Sequence, residues 1–342
     1  VGLADTARPL VERRAHYLVL VHKVWPHGNS GGRMSIIECD ATAIGLFKDC
    51  PRKYDLRINQ GLVPKARAGG GRGFGGTLHK GREVWRSALM NKHLPQHAYE
   101  EGLQAMRDEW NASFGGGIVD EKRSLANAEA LFSGYVSKFS SHNYVPLAIE
   151  EPFSIDVGTT PAGHVVRRTG LMDEYCEFNG RRYVLDLKTS SVYPGGSWMD
   201  AWRTAEQFLG YMYCARRIHG ACDGVIVHGI WVHTPPKRSG NKYKFDDYFT
   251  ADIVSFSDGQ LEEWHKDFLD TVDRREEARA RGHWSPNLNT ACKTVYGLCD
   301  FHKWCSSTPE IRPQVESIYY AHQAWQPLAA TRLGELSDVE VP

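Results

Sequence analysis

A chain of 342 residues, 42% of them hydrophobic, is long enough for one sizeable core with elaborations. Its 41 basic residues balance its 41 acidic ones, which excludes a global field driving the protein onto nucleic acid or membrane, so any polyanion site must be local. The apolar run Tyr17 to Val21 is too short for a signal-peptide core, and nowhere do about 18 apolar residues run together as a membrane span requires, so a soluble cytoplasmic protein is expected.

Residues 1–33 lack periodicity and read as a leader, disordered or not native, whereas Met34 opens a stretch that looks like a natural beginning. Between residues 34 and 92, 11 Lys and Arg face 5 acids, a candidate phosphate-binding surface. The pattern from Ala41 to about Ile58 is helical, with Pro51 placed to start a new turn. The glycine-rich stretch 68–77 lacks the Lys-Ser or Lys-Thr ending of a P-loop and reads as a flexible basic lead-in to a helix over about 77–90. A second amphipathic helix is predicted over about 122–141. Strand-like runs follow at 147–156, 165–178 and 181–188, then a helix over about 202–218 and a strand at 224–233. A charged helix over about 258–281 leads into clustered cysteines, and the tail from Ser306 carries no signal.

The segment 170–190, GLMDEYCEFNGRRYVLDLKTS, carries the chemistry. Asn179-Gly180 predicts a two-residue hairpin turn, because a type I′ turn needs positive φ at both central positions. Phe178 then faces Arg181, and the same register sets Asp173 opposite Asp186. Two facing carboxylates repel, and a divalent cation with oxygen preference relieves that repulsion while leaving positions for a phosphate oxygen and water. Strand alternation puts Lys188 on the face of Asp186, where an ammonium can stabilise phosphorane charge.

With these residues on the page, the chain resembles the PD-(D/E)XK nucleases, in particular the RecB-like branch. That pattern is a helix histidine, then G-x-x-D, D-x-K and Q-x-x-x-Y, met here in order by His79, Gly170 with Asp173, Asp186 with Lys188, and Gln207 with Tyr211. The resemblance covers about residues 41–305. It implies an α/β restriction-endonuclease-like core, with a mixed central sheet flanked by helices. It also implies that Asp173 and Asp186 ligate Mg²⁺ or Mn²⁺, that His79 and the Leu187 carbonyl add ligands, and that Lys188 serves catalysis beside Gln207 and Tyr211. Glu151, in the phrase IEEPF, matches a position where relatives often carry an acid; only one of Glu150 and Glu151 can face inward.

Cys50 and the trio Cys292, Cys299 and Cys305 form a second constellation. Four thiolates can hold either structural zinc or a [4Fe-4S] cluster, and spacing alone leaves both open. One distant cysteine plus a C-terminal trio resembles the iron-sulfur clasp of AddB-type helicase-nucleases and CRISPR-associated RecB-like exonucleases. Cys39, Cys176, Cys214 and Cys222 read as buried small hydrophobes.

The expected organisation is a leader (1–33), a helical N-terminal region with a basic surface and the first cluster cysteine (34–145), a nuclease core (146–257), a C-terminal helix with the cysteine cluster (258–305) and a tail (306–342). The expected function is an exonuclease processing DNA ends, with a helicase or recombination partner supplying any unwinding. The alternatives are a flap or branched-DNA endonuclease, and a DNA-binding module of the CRISPR-adaptation kind.

Overall fold

A computed structural model describes residues 36–65, 73–115, 120–234, 243–294 and 297–326. The leader 1–33 and residues 68–72 of the glycine-rich stretch lie outside these residues. The elements in chain order are β1 (Ile36–Cys39), α1 (Ala41–Asp49), α2 (Pro51–Tyr54), β2 (Leu62–Pro64), α3 (Gly73–Met90), α4 (Pro95–Phe114) and α5 (Leu125–Phe139). Then come β3 (Val145–Thr159), β4 (Val165–Phe178), β5 (Arg181–Ser190), α6 (Gly196–Asp200), α7 (Glu206–His219), β6 (Gly224–Trp231), β7 (Phe249–Val254) and α8 (Asp258–Ala280). The short pieces β8 (Lys293–Thr294), β9 (Gly297–Leu298), α9 (His302–Cys305), α10 (Arg312–Tyr319) and β10 (Tyr320–His322) close the chain. Among the described residues no helix is long and apolar enough to cross a membrane.

The core is one mixed six-stranded sheet in the order β1-β4-β5-β6-β7, with β3 also on β4. Asn179 and Gly180 have φ of 51° and 74°, as the hairpin turn needs. The β4–β5 register runs from Phe178↔Arg181 to Glu174↔Leu185, the one read from the turn. Helices cover both faces. Val184, Val225 and Val227 pack under α7 and α8 with Phe208, Met212, Trp264 and Phe268. Leu187 and Ile230 pack under the α3–α5 layer with Leu78, Trp85, Leu131 and Phe132.

The 20-residue α4 has no counterpart in the sequence reading. Its Gly102 speaks against a helix by propensity, yet a Cβ there would lie 2.7 Å from the carbonyl oxygen of Gly81 on α3. The two helices touch backbone to backbone, and tertiary packing overrides propensity. The tail, which carries no signal in the sequence, joins the fold: β10 pairs antiparallel with β2, and Leu56, Leu62, Phe301, Val315 and Tyr320 form a small shared core. That core ties the N-terminal helices to the C-terminal segment.

Part of the basic excess is not a surface. Arg82 and Arg86 are buried and paired with Glu174, which is itself fully buried, while Lys53 pairs with Asp49 and Lys80 with Glu83. All four cysteines read as hydrophobes, Cys39, Cys176, Cys214 and Cys222, are buried.

Candidate active site and metal centre

β3 occupies one edge of β4, and the other edge is shared: β1 pairs with Val165–Arg168 and β5 with Glu174–Phe178. The stretch Thr169–Asp173 lies between those two ladders, so the sheet forks there. Gly170 is needed at the fork because a Cβ would sit 2.3 Å from Cζ of Phe153, its partner on β3. This gives the glycine of G-x-x-D a steric reason.

Asp173 stands at the mouth of the fork. One carboxylate oxygen accepts the Leu187 amide N–H at 2.9 Å and lies 3.2 Å from Nδ1 of His79, which α3 delivers. Glu150 lies between the pairs Ile149↔Glu174 and Glu151↔Met172, opposite Asp173, with a left-handed φ of 46°. A non-glycine residue in that region costs on the order of 1–3 kcal/mol and persists where its surroundings over-determine it. His79, Glu150 and Asp173 each bring a ligand atom within 4.8 Å of the others.

Asp186 and Lys188 share a face of β5, as alternation requires, and their charged groups meet at 2.7 Å. Lys188 Nζ also donates to Oε1 of Gln207 at 3.0 Å, the Gln207 amide donates to the Tyr211 hydroxyl at 2.8 Å, and that hydroxyl donates to the Leu171 carbonyl at 2.7 Å. This relay joins β5 to β4 through one face of α7. It explains the spacing of four between Gln207 and Tyr211, since residues i and i+4 are neighbours on a helix. Burial pushes Tyr211 well above the usual tyrosine range.

Electrostatics separate the acids. Burial, with help from Asp173, raises Glu150 to about 7. Burial also raises Asp186, to about 6, with Lys188 opposing and Asp173 reinforcing the shift. Asp173 is held below the usual carboxylate range, because His79, Arg82 and Lys188 outweigh its burial. Burial works against the His79 imidazolium, but Asp173 and Asp186 reverse that and raise its pKa. The site therefore combines one carboxylate more acidic than usual with two that hold their protons more tightly than usual.

The sequence reading selected Glu151 as the additional acid. Glu151 instead faces away and pairs with Nε2 of His219 at 2.7 Å, and its neighbour Glu150 takes the inward position. That choice depends on the β3–β4 register, which no local turn residue announces. The reading also expected Asp186 to complete a pair with Asp173. Asp186 is the neighbour of the His79, Glu150 and Asp173 group but is drawn to Lys188. Leu187 contributes its amide to Asp173, and its side chain is buried in the α3–α5 layer.

In a cavity whose lining includes none of the fork residues, Cys50, Cys292, Cys299 and Cys305 come together with Phe301 and His302. The Asn287 amide N–H donates to Cys50 Sγ at 3.3 Å and the Cys299 amide to the Cys292 carbonyl at 2.9 Å. Burial pushes the Cys299 and Cys305 thiols up. Among the described residues the four sulfurs are spread more widely than the donors at the fork, which alone form a group of three or more within 4.8 Å.

The family model of the PD-(D/E)XK nuclease superfamily matches residues 41–306. No curated protein sequence matches. Among solved structures, a protein from Eubacterium rectale provisionally named an exonuclease is similar at 11% identity and a TM-score of 0.46, over 90% of this chain and 95% of that one. A second, SSO0001, is similar at 14% identity and a TM-score of 0.33, over 87% of this chain and 93% of that one. The family match spans most of the chain and contains both β4 and β5, and on that ground the chain belongs to the PD-(D/E)XK nuclease superfamily, a mixed α/β fold that hydrolyses phosphodiesters.

Proposed function

We propose that this chain is a Mg²⁺- or Mn²⁺-dependent deoxyribonuclease that hydrolyses DNA from a free end. The observation that carries the reading is the convergence of His79, Glu150 and Asp173 beside Asp186 and Lys188 at the fork of the sheet. Two or three carboxylates with one imidazole form a donor set that suits a hard divalent ion. When bound, such an ion would polarise a phosphate oxygen and lower the pKa of a water. Leu187 N–H holds the carboxylate of Asp173, and the Gln207–Tyr211 relay holds the ammonium of Lys188 beside Asp186, where it would meet a phosphate oxygen of the substrate. A helicase or recombination partner would deliver unwound strands.

Purified protein with Mg²⁺ or Mn²⁺ should degrade end-labelled linear DNA and leave closed circles intact, and chelation should stop it. Cutting of closed circles or of branched junctions at internal positions would favour the endonuclease alternative. Binding of DNA with no metal-dependent cleavage would favour the assembly-module alternative.

The four-cysteine cavity supports a [4Fe-4S] clasp as a part of this reading. A single zinc with bonds of about 2.3 Å holds its sulfurs about 3.8 Å apart, whereas a cluster binds each thiolate to a different iron and spaces them more widely. Anaerobically purified protein should be brown, with about four iron and four sulfide per chain. Cys50→Ala should bleach it and lower its stability, because the clasp joins segments more than two hundred residues apart and its bonds form only in the folded chain. Cys176→Ala should keep the colour. Colourless protein with stoichiometric zinc would replace the cluster but retain the clasp.

A further inference from the structure

Beyond Lys188, strand β5 ends in a turn that is built rather than loose. Ser190, 6% exposed, donates its hydroxyl to the Val192 carbonyl at 2.7 Å and accepts the Val192 amide N–H at 3.1 Å. The turn holds Val192 and Tyr193 outward, at 55% and 37% exposure. Tyr193 is nevertheless fixed: its ring stacks on Tyr243 with centroids 4.5 Å apart and meets Trp231 edge-on at 5.5 Å. Trp231 is held in turn by its indole N–H, which donates to the Ser191 carbonyl at 3.3 Å. A Cβ on Gly195 would come within 2.8 Å of Cε1 of Tyr193, so a glycine there leaves room for the ring.

This aromatic surface follows the end of β5, the strand that carries Asp186 and Lys188. Trp231 pairs in register with Ser190, and Gly229 with Lys188. At about 3.3 Å per residue, the two-residue step from Lys188 to Ser190 is about 7 Å, the reach of one or two nucleotides. The Tyr193 ring follows Ser190 through the short turn, held by Trp231 and Tyr243, and the part of it left open to solvent is suited to the π-face of a nucleobase. Such stacking tolerates every base, as an enzyme that advances along arbitrary sequence requires. Bases inside a duplex already stack on one another and are not available to it.

Resting on the nuclease reading above, we propose that Tyr193 is a stacking platform for the base of an unpaired nucleotide next to the scissile phosphate, so that the substrate is a single-stranded DNA end. The test is a cycle between protein and substrate. Oligonucleotides carrying one abasic nucleotide at successive positions are cleaved by wild-type protein and by Tyr193→Ala, Tyr193→Phe and Tyr193→Leu. For wild type, one abasic position should raise KM about 5- to 100-fold, the loss of one base–aromatic stack. Tyr193→Ala should show the same increase on the intact strand and no further increase on the abasic one. Phenylalanine should restore the wild-type pattern and leucine should not. An abasic penalty that is the same size in wild type and Tyr193→Ala, or the lack of one in wild type, overturns the proposal. A separate readout keeps the two readings distinguishable: quenching of a 2-aminopurine base in single-stranded DNA on binding to metal-free protein. Quenching by wild type and Tyr193→Phe but not by Tyr193→Ala supports the platform even in protein that cleaves nothing. Equal quenching by wild type and Tyr193→Ala overturns it even in an active nuclease.

Discussion

Asp173→Ala, Asp186→Ala and Lys188→Ala should each lower metal-dependent DNA cleavage by at least about 100-fold, the loss that follows removal of one pre-organised charged group from a partly water-excluded site. Their effects on stability should differ, and the difference tests the geometry. Asp173 accepts the buried Leu187 amide N–H, so alanine leaves that donor unsatisfied at a cost of about 1–3 kcal/mol. Asp173→Asn keeps an acceptor there and should recover much of the stability while remaining inactive. Asp186 is buried, and burial together with Asp173 raises its pKa to about 6, so its charge is a liability in the metal-free fold. Removing it should leave thermal stability unchanged or slightly higher. Cleavage assays with thermal melts of the same preparations read both effects. A folded Asp186→Ala protein that cleaves at the wild-type rate would remove the active-site assignment.

The reason the hairpin was legible is local. Asn179-Gly180 fixes a turn, the turn fixes a register, and five consecutive pairs from Phe178↔Arg181 to Glu174↔Leu185 follow it. Helix α8, predicted over about 258–281 as a charged helix, spans Asp258–Ala280, and a capping box between Ser257 and Gln260 sets its start. The selection of Glu150 over Glu151 was not legible, because β3 reaches β4 through the register shift between Asp156 and Gly158, and an irregularity between turn and site breaks the counting. The pairing of β10 with β2 joins residues far apart in sequence and leaves no periodic trace in either. The burial of Arg82 had a signal that counting charges conceals: it lies four residues after Leu78 and three before Trp85, on the stripe that faces the core.

That inward stripe leads to the largest expected loss of stability, in Glu174→Ala. Glu174 is fully buried on β4, beside Asp173 in sequence. It accepts from Arg82 Nη2 at 2.5 Å and from Arg86 Nε and Nη2 at 3.0 and 2.7 Å. Arg82 Nε also donates to the Tyr135 hydroxyl at 3.0 Å, which is 2.8 Å from Nδ1 of the buried His228, and Arg86 Nη2 donates to the Tyr144 carbonyl at 2.8 Å. With alanine at 174, two buried guanidinium groups lose their counter-charge. Breaking a buried pair from one side costs about 3–5 kcal/mol, a large part of the roughly 5–15 kcal/mol that a folded domain has in total. Replacing all three charges with apolar groups of similar size, as in Arg82→Met, Arg86→Met and Glu174→Leu together, should recover much of the loss, since the desolvation cost of the ions disappears with them. The three-charge variant is also a test of position. His79 lies three residues before Arg82 on α3, and Asp173 immediately precedes Glu174, so the clamp sets where the imidazole meets the carboxylate. A folded triple variant should therefore bind Mn²⁺ more weakly than wild type, measured by calorimetry at a pH where both proteins are folded. A Glu174→Ala protein within about 1 kcal/mol of wild type in urea unfolding would mean that water reaches the two arginines and that the clamp does not hold α3 against the sheet.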